Sequence, residues 1–178
     1  MPEQLTSFIK FLDDNKLIKF SVLKDDTDEG FNNRLKAQKY AYIAQEKFNL
    51  DLNYGFSKYK FGPYSARLTD DYYGINIYKG LDEHDSFYET VIETPESSVF
   101  GASPLPTKFD TTRFLNLVSK KGEPWLEVAA TIINVAKYND YEKDRLIEIV
   151  NRIKPRFNRI FIEQVHSDLS KHGLMVFP

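Results

Sequence analysis

Leu5, Phe8, Ile9 and Leu12 recur at i, i+3, i+4 and i+7, with Pro2 near the start and Asn15 just beyond, which predicts an amphipathic helix over about 2–14. Leu17 to Val22 alternates briefly, and the following KDDTDEG reads as a solvated acidic loop ending at Gly30. Asn32 or Asn33 then caps a second predicted helix running to about Asn49, with Leu35, Tyr42 and Ile43 on one face and Arg34, Lys36, Lys39 and Lys47 elsewhere. In DLNYGFSKYKF (51–61) aromatic residues alternate with Gly, Ser and Lys, the pattern of an exposed strand or two-stranded ribbon. Gly62-Pro63 breaks it. Pro63 suits the first turn of a short helix ending near Gly74, because its missing N–H would be unpaired there anyway. Short β-like runs at 75–100, around the acidic GLDEHDS, predict a small hairpin or wing.

The C-terminal part reads as helical. GASPLP (101–106) is a connector, and Phe114, Leu115, Leu117 and Val118 lie in a helix ending near Gly122. Pro124 opens WLEVAATIINVAK, apolar on nearly all sides and therefore expected at the centre of the core around Trp125. Asn139 with Glu142 suggests a capping box for a helix over 140–154, stopped by Pro155. Phe157, Ile160, Phe161, Val165 and Leu169 give the last helix its apolar face, with Gly173 at its end.

A chain of 178 residues with 42% hydrophobic content suits a single domain over 1–178. Within it we distinguish an N-terminal helix and acidic loop (1–30), a middle part (31–100) and a helical C-terminal part (101–178). The absence of cysteine removes disulfides, thiolate nucleophiles and cysteine-ligated metals. No apolar run approaches the ~20 residues of a membrane span and no export signal is legible, so a cytoplasmic protein without a membrane partner is expected. The formal charge of -2 conceals segregation: the net charge is -3 over 1–30, +4 over 31–70, -6 over 71–106 and +3 over 107–178.

Candidate chemistry is correspondingly sparse. Helical metal motifs, phosphate-binding glycine loops and nucleophile elbows are missing from the text. His166 and His172 are six apart, which on a helix places them on different faces, and His84 sits in an acidic turn most simply read as solvated. Adjacent carboxylates such as Asp70 and Asp71 diverge on a helix, so no catalytic residue, metal ligand or cofactor is assigned. The basic stretch is the better candidate: Arg34, Lys36, Lys39, Lys58, Lys60 and Arg67 are interleaved with Tyr40, Tyr54, Tyr59 and Tyr64, a mixture that suits phosphate contact with stacking, against the plainer reading of a solvated helix face with buried tyrosine bodies. Arg152, Lys154, Arg156 and Arg159 make a second basic run beside a helix break.

Three parts of the text together resemble a known family. NRLKAQKYAYIAQ (33–45), YGFSKYKFGPYSARLTDD (54–71), and the pair WLEVAATI (125–132) with RIKPRF and a later GL (152–174) are similar to the YwgA-like proteins, related to the SocA-type or Panacea antitoxin domain. GPYS (62–65) is the most specific piece. The resemblance implies a mostly helical, winged-helix-like domain without cofactor or catalytic residue. In the antitoxin branch it implies neutralising a partner toxin or delivering it to a protease. Locally, Gly62 permits a backbone angle closed to other residues, Pro63 sets a helical φ and Ser65 can accept from a free N–H.

These readings converge on an α+β, mostly α fold with a winged-helix-like arrangement and a small β-hairpin or ribbon. The expected function is a non-enzymatic protein-binding module, antitoxin-like or adaptor-like, with a toxin, a protease or a second copy of the chain as partner. The alternative is a winged-helix-like DNA-binding regulator using the 33–49 and 63–73 helices, with nucleic acid a weak partner because the expected wing is acidic.

Overall fold

The computed structural model describes residues 3–75 and 104–175. These form α1 (Glu3–Asp14), a 3-10 turn (Phe20–Val22), α2 (Asp28–Lys47), α3 (Ala66–Tyr73), α4 (Thr111–Val118), α5 (Glu123–Lys137), α6 (Lys143–Ile153) and α7 (Arg159–Lys171). Among the described residues there is no sheet, only an isolated antiparallel bridge between Ser57 and Tyr64. The expected α+β class, with its winged-helix-like arrangement and ribbon, is therefore corrected to an all-helical one. The hairpin expected at 75–100 lies, beyond Ile75, outside the described residues.

α5 is the axis of the molecule. Every residue from Trp125 to Val135 is buried, and the helix packs against α2, α6 and α7. A helix apolar on nearly all sides can satisfy itself only at the centre, as the sequence pattern implies. Its buried polar residues all find partners: Asn134 donates to the Tyr42 hydroxyl at 3.1 Å, and Thr131 to the Glu127 carbonyl at 2.8 Å. Trp125 donates its indole N–H to Asp168 of α7 at 3.0 Å. A second part of the core is aromatic, with Phe8, Phe109 and Phe48 packed around Phe114 at ring separations of 5.3–5.9 Å.

Several helix boundaries differ from expectation, each for a local reason. α2 starts at Asp28 rather than near Asn33, because the Thr27 hydroxyl accepts from Gly30 N at 3.0 Å and Asp28 and Glu29 complement the dipole in the first turn. The acidic text that suggested a loop is partly a helix start. Gly30 is inside that helix because a Cβ there would lie 2.2 Å from the Asp25 carbonyl and 2.8 Å from that of Val22. α3 begins at Ala66, not Pro63, with the Ser65 hydroxyl accepting from Leu68 N at 3.3 Å. α6 has no capping box: Asn139 instead donates to Val135 O and so closes the end of α5.

The expected strand at 51–61 fails because its backbone is claimed by α2 side chains. The Gln45 amide pairs with both the N–H and the carbonyl of Tyr54, at 2.9 and 3.0 Å. Two helical turns earlier, Gln38 does the same for Ser65, at 2.9 and 2.8 Å. A residue spacing of seven returns to nearly the same helix face, so one stripe of α2 holds both ends of the segment.

Two substitutions test these points. Trp125→Ala should destabilise by roughly 3–5 kcal/mol, through lost burial and the lost indole hydrogen bond to Asp168, as read by denaturant unfolding. Gly30→Ala would gain about 1 kcal/mol from helix propensity alone, so a net loss of about 1–3 kcal/mol is expected from the backbone clash. A stabilised Gly30→Ala protein contradicts the close approach of residues 22–25.

Candidate functional site

The N-terminal half of α2 presents Phe31, Arg34, Leu35 and Gln38 as one stripe, at the spacing of successive turns. The 59–64 turn and α3 close around it. Together they line a pocket of about 270 Å³ whose other walls include Tyr59, Phe61, Tyr64 and Tyr73. Phe31 and Phe61 meet edge to face at 5.8 Å, and Tyr59 leans on Tyr64 at 5.2 Å. Of the six large apolar residues exposed among the described residues, three line this pocket: Phe31 at 45%, Tyr59 at 62% and Tyr73 at 41%. Scattered exposed aromatics are ordinary; three at one concavity mark a candidate binding surface.

The polar groups in the pocket serve to build it. Arg34 donates through Nη1 to the Leu23 and Asp25 carbonyls, at 3.1 and 2.6 Å, tying α2 to the preceding turn. Gln38 also donates to Thr69, whose hydroxyl donates to that of Tyr64 at 3.0 Å. Lys39 is buried, and its Nζ donates to the Pro63 carbonyl at 2.7 Å. Burial pulls the Lys39 ammonium down from its usual range to about 8, with Lys154 adding to the fall and Glu127 opposing it. Burial likewise pushes the Tyr72 phenol up to about 12.

Behind the pocket the 59–64 turn is anchored to the core. Gly62 has φ +86°, and a Cβ would sit 3.3 Å from Thr131 Oγ1 and 3.4 Å from the Glu127 carbonyl, so the turn needs glycine both for conformation and for space. Glu127, 2% exposed, forms an ion pair with Lys154 at 2.9 Å and is bonded by Arg156. Lys154 Nζ also donates to the Lys60 carbonyl. The 59–64 turn is thus clamped by two buried lysines, at the carbonyls of Lys60 and Pro63, with Pro63 ahead of the helix and Ser65 as its cap.

The structure divides the residues singled out in the sequence. Arg34, Lys39, Tyr59 and Tyr64 share the pocket. Lys36 faces a separate open groove and is paired with Glu123 at 2.9 Å. Arg67 lies over the Tyr54 ring at 5.9 Å, beside Asp71 at 3.9 Å, and is not part of the wall. Trp125 belongs to the core. Phe31, Leu35, Gln38, Phe61 and Tyr73 were not anticipated, since an α2 starting at 33 leaves Phe31 in a loop and breaks the stripe. The second basic run is also committed internally: Arg152 pairs with Glu148, Arg156 with Glu127, and Arg159 with Glu163 at 2.7 Å.

No family model, curated protein or solved structure matches the chain.

The depressed lysine makes a pH prediction. Below pH about 8 Lys39 is charged in both folded and unfolded states, and burial of the charge costs stability in full. Between about 8 and 10.5 the unfolded chain holds the extra proton, so this contribution to stability rises with pH. Lys39→Met removes it. The stability of the variant minus that of the wild type should fall by on the order of 3 kcal/mol between about pH 7 and about pH 10.5. The carbonyl of Pro63, left unpaired in the variant, shifts that difference by a constant and leaves its slope intact. Urea unfolding of both proteins across the range measures it, and a difference independent of pH contradicts a buried charged lysine.

Proposed function

We propose that the protein is a non-enzymatic binding module of the antitoxin-like or adaptor-like kind, which docks another protein at the pocket between α2, the 59–64 turn and α3. The observation that carries this reading is the gathering of Phe31, Tyr59 and Tyr73, all exposed, around a cavity of about 270 Å³. That is below the ~300–1,000 Å³ usual for small-molecule sites and suits one or two anchoring side chains of a partner. Tyrosine, phenylalanine and arginine are the residue types that carry interface energy. The resemblance to antitoxin domains agrees with a protein partner.

Duplex DNA is the weaker reading. Lys39 is buried, and Lys36 and Arg67 stand beside carboxylates. A phosphate contact needs a cation able to release counterions, and these three are already engaged. Among the described residues no helix is long and apolar enough to cross a membrane.

The test is site-specific photo-crosslinking in the native host. A photoreactive phenylalanine analogue at position 59 should capture a defined protein, while the same group at position 160, on the exposed start of α7, should not. Tyr73→Ala in the position-59 protein should reduce the captured product about tenfold, equivalent to roughly 1.4 kcal/mol of docking energy. Equal capture from both positions overturns the assignment of the pocket.

A further inference from the structure

The chemistry of the pocket wall names the kind of segment it takes. Its eleven lining residues include two cations, Arg34 and Lys39, and no carboxylate. Two more cations stand at Phe61: the Lys60 ammonium lies 5.2 Å from the ring centroid and the Arg156 guanidinium 5.4 Å from it. The nearest buried carboxylate, Glu127, lies behind the turn and is already matched by Lys154 and Arg156. On the α3 side Asp71 accepts the Tyr54 hydroxyl at 2.7 Å and is not part of the wall. Among the described residues, a docked ligand therefore meets aromatic faces beside two cations, Arg34 and Lys60, that are paired with no carboxylate.

From this we infer that the pocket binds an acidic peptide segment that inserts one aromatic or large aliphatic side chain between Tyr59, Phe31 and Tyr73 and presents flanking carboxylates to Arg34 and Lys60. The inference rests on the docking reading above and adds the partner's chemistry to it. The apolar anchor supplies desolvation energy inside a cavity sized for one or two side chains. The carboxylates supply selectivity and speed of encounter more than affinity, because Lys60 is exposed and its field is screened by salt. Arg34, half-buried and held in place by its two carbonyl bonds, is the better oriented of the two and can pair with a carboxylate at little further loss of side-chain freedom. A basic peptide with the same anchor would place like charges together.

The experiment uses the full chain and three fluorescein-labelled hexapeptides, read by anisotropy at low and at physiological salt. One is Asp-Glu-Leu-Phe-Asp-Glu, the second replaces its four acidic residues by lysine, and the third replaces Leu-Phe by Ala-Ala. The acidic Leu-Phe peptide should bind about tenfold more tightly than either of the others, and its lead over the lysine peptide should shrink as salt rises. Lys60→Gln should reduce that lead severalfold with little change in the thermal unfolding midpoint, since the exposed side chain touches only the Phe61 ring and the buried hydrogen bond uses the Lys60 backbone carbonyl. Arg34→Gln should reduce it further, and Tyr59→Ala should weaken both Leu-Phe peptides alike.

Equal binding of the acidic and lysine peptides overturns the acidic preference while leaving the docking pocket in place. Equal binding of the Leu-Phe and Ala-Ala acidic peptides overturns the anchor and the pocket with it. An oligothymidine that binds more tightly than the acidic peptide and is lost in Tyr59→Ala would reassign the site to single-stranded nucleic acid. Failure of all three peptides to bind also overturns the inference.

Discussion

Backbone N–H and carbonyl groups that leave water must find partners, and between Tyr54 and Ser65 the described residues offer no sheet, only the isolated Ser57–Tyr64 bridge. Side chains from elsewhere in the chain supply the rest. Gln45 and Gln38 take the two ends, while Lys39 and Lys154 take the carbonyls of Pro63 and Lys60 between them. The path of this segment follows from those four side chains, and with it the positions of Tyr59, Phe61 and Tyr64. The pocket is a consequence of how a non-helical segment is satisfied inside a helical protein.

That solution brings charge into the interior. Lys39, Lys154 and Glu127 are all nearly fully buried, and isolated charges so placed would be costly. They tolerate burial because each cation holds a carbonyl and the single carboxylate is shared between Lys154 and Arg156. Arg156 also stacks on Phe157 at 4.6 Å and lies over Phe61, so it links the start of α7 to the pocket wall. Such an arrangement favours one placement of the turn over others more than it favours the folded state as a whole.

Aromatic residues serve two purposes here and are separated accordingly. Phe8, Phe48, Phe109 and Phe114 fill the junction of α1, α4 and the end of α2, with Tyr40 against them. Phe31, Tyr59 and Tyr73 leave much of their surface in water at a concavity that Phe61, Tyr64 and Tyr72 support from within. Rigid aromatic rings lose little freedom on docking, which is why a surface of this kind can hold a partner with few contacts.

The sequence by itself determined what depends on neighbours one to four residues away. The apolar spacing of α1, the all-round apolar pattern of α5 from Trp125 onward, the serine cap of α3 and the breaks at Gly62 and Pro155 are all local physics, and the structure repeats them. The start of α2 is not legible in the sequence because acidic residues serve a solvated loop and a helix N-terminus equally well, and only the Thr27 cap and the crowding at Gly30 decide between them. Tertiary structure alone decided the rest. Alternation at 51–61 is compatible with a strand, but a strand needs a partner, and the partner turned out to be the side-chain face of a helix. Which lysines of the basic stretch are buried, which are paired and which stand beside the pocket depends on α5 and α6 more than 80 residues away. No spacing rule within 31–70 carries that information, because burial is a property of what packs on top.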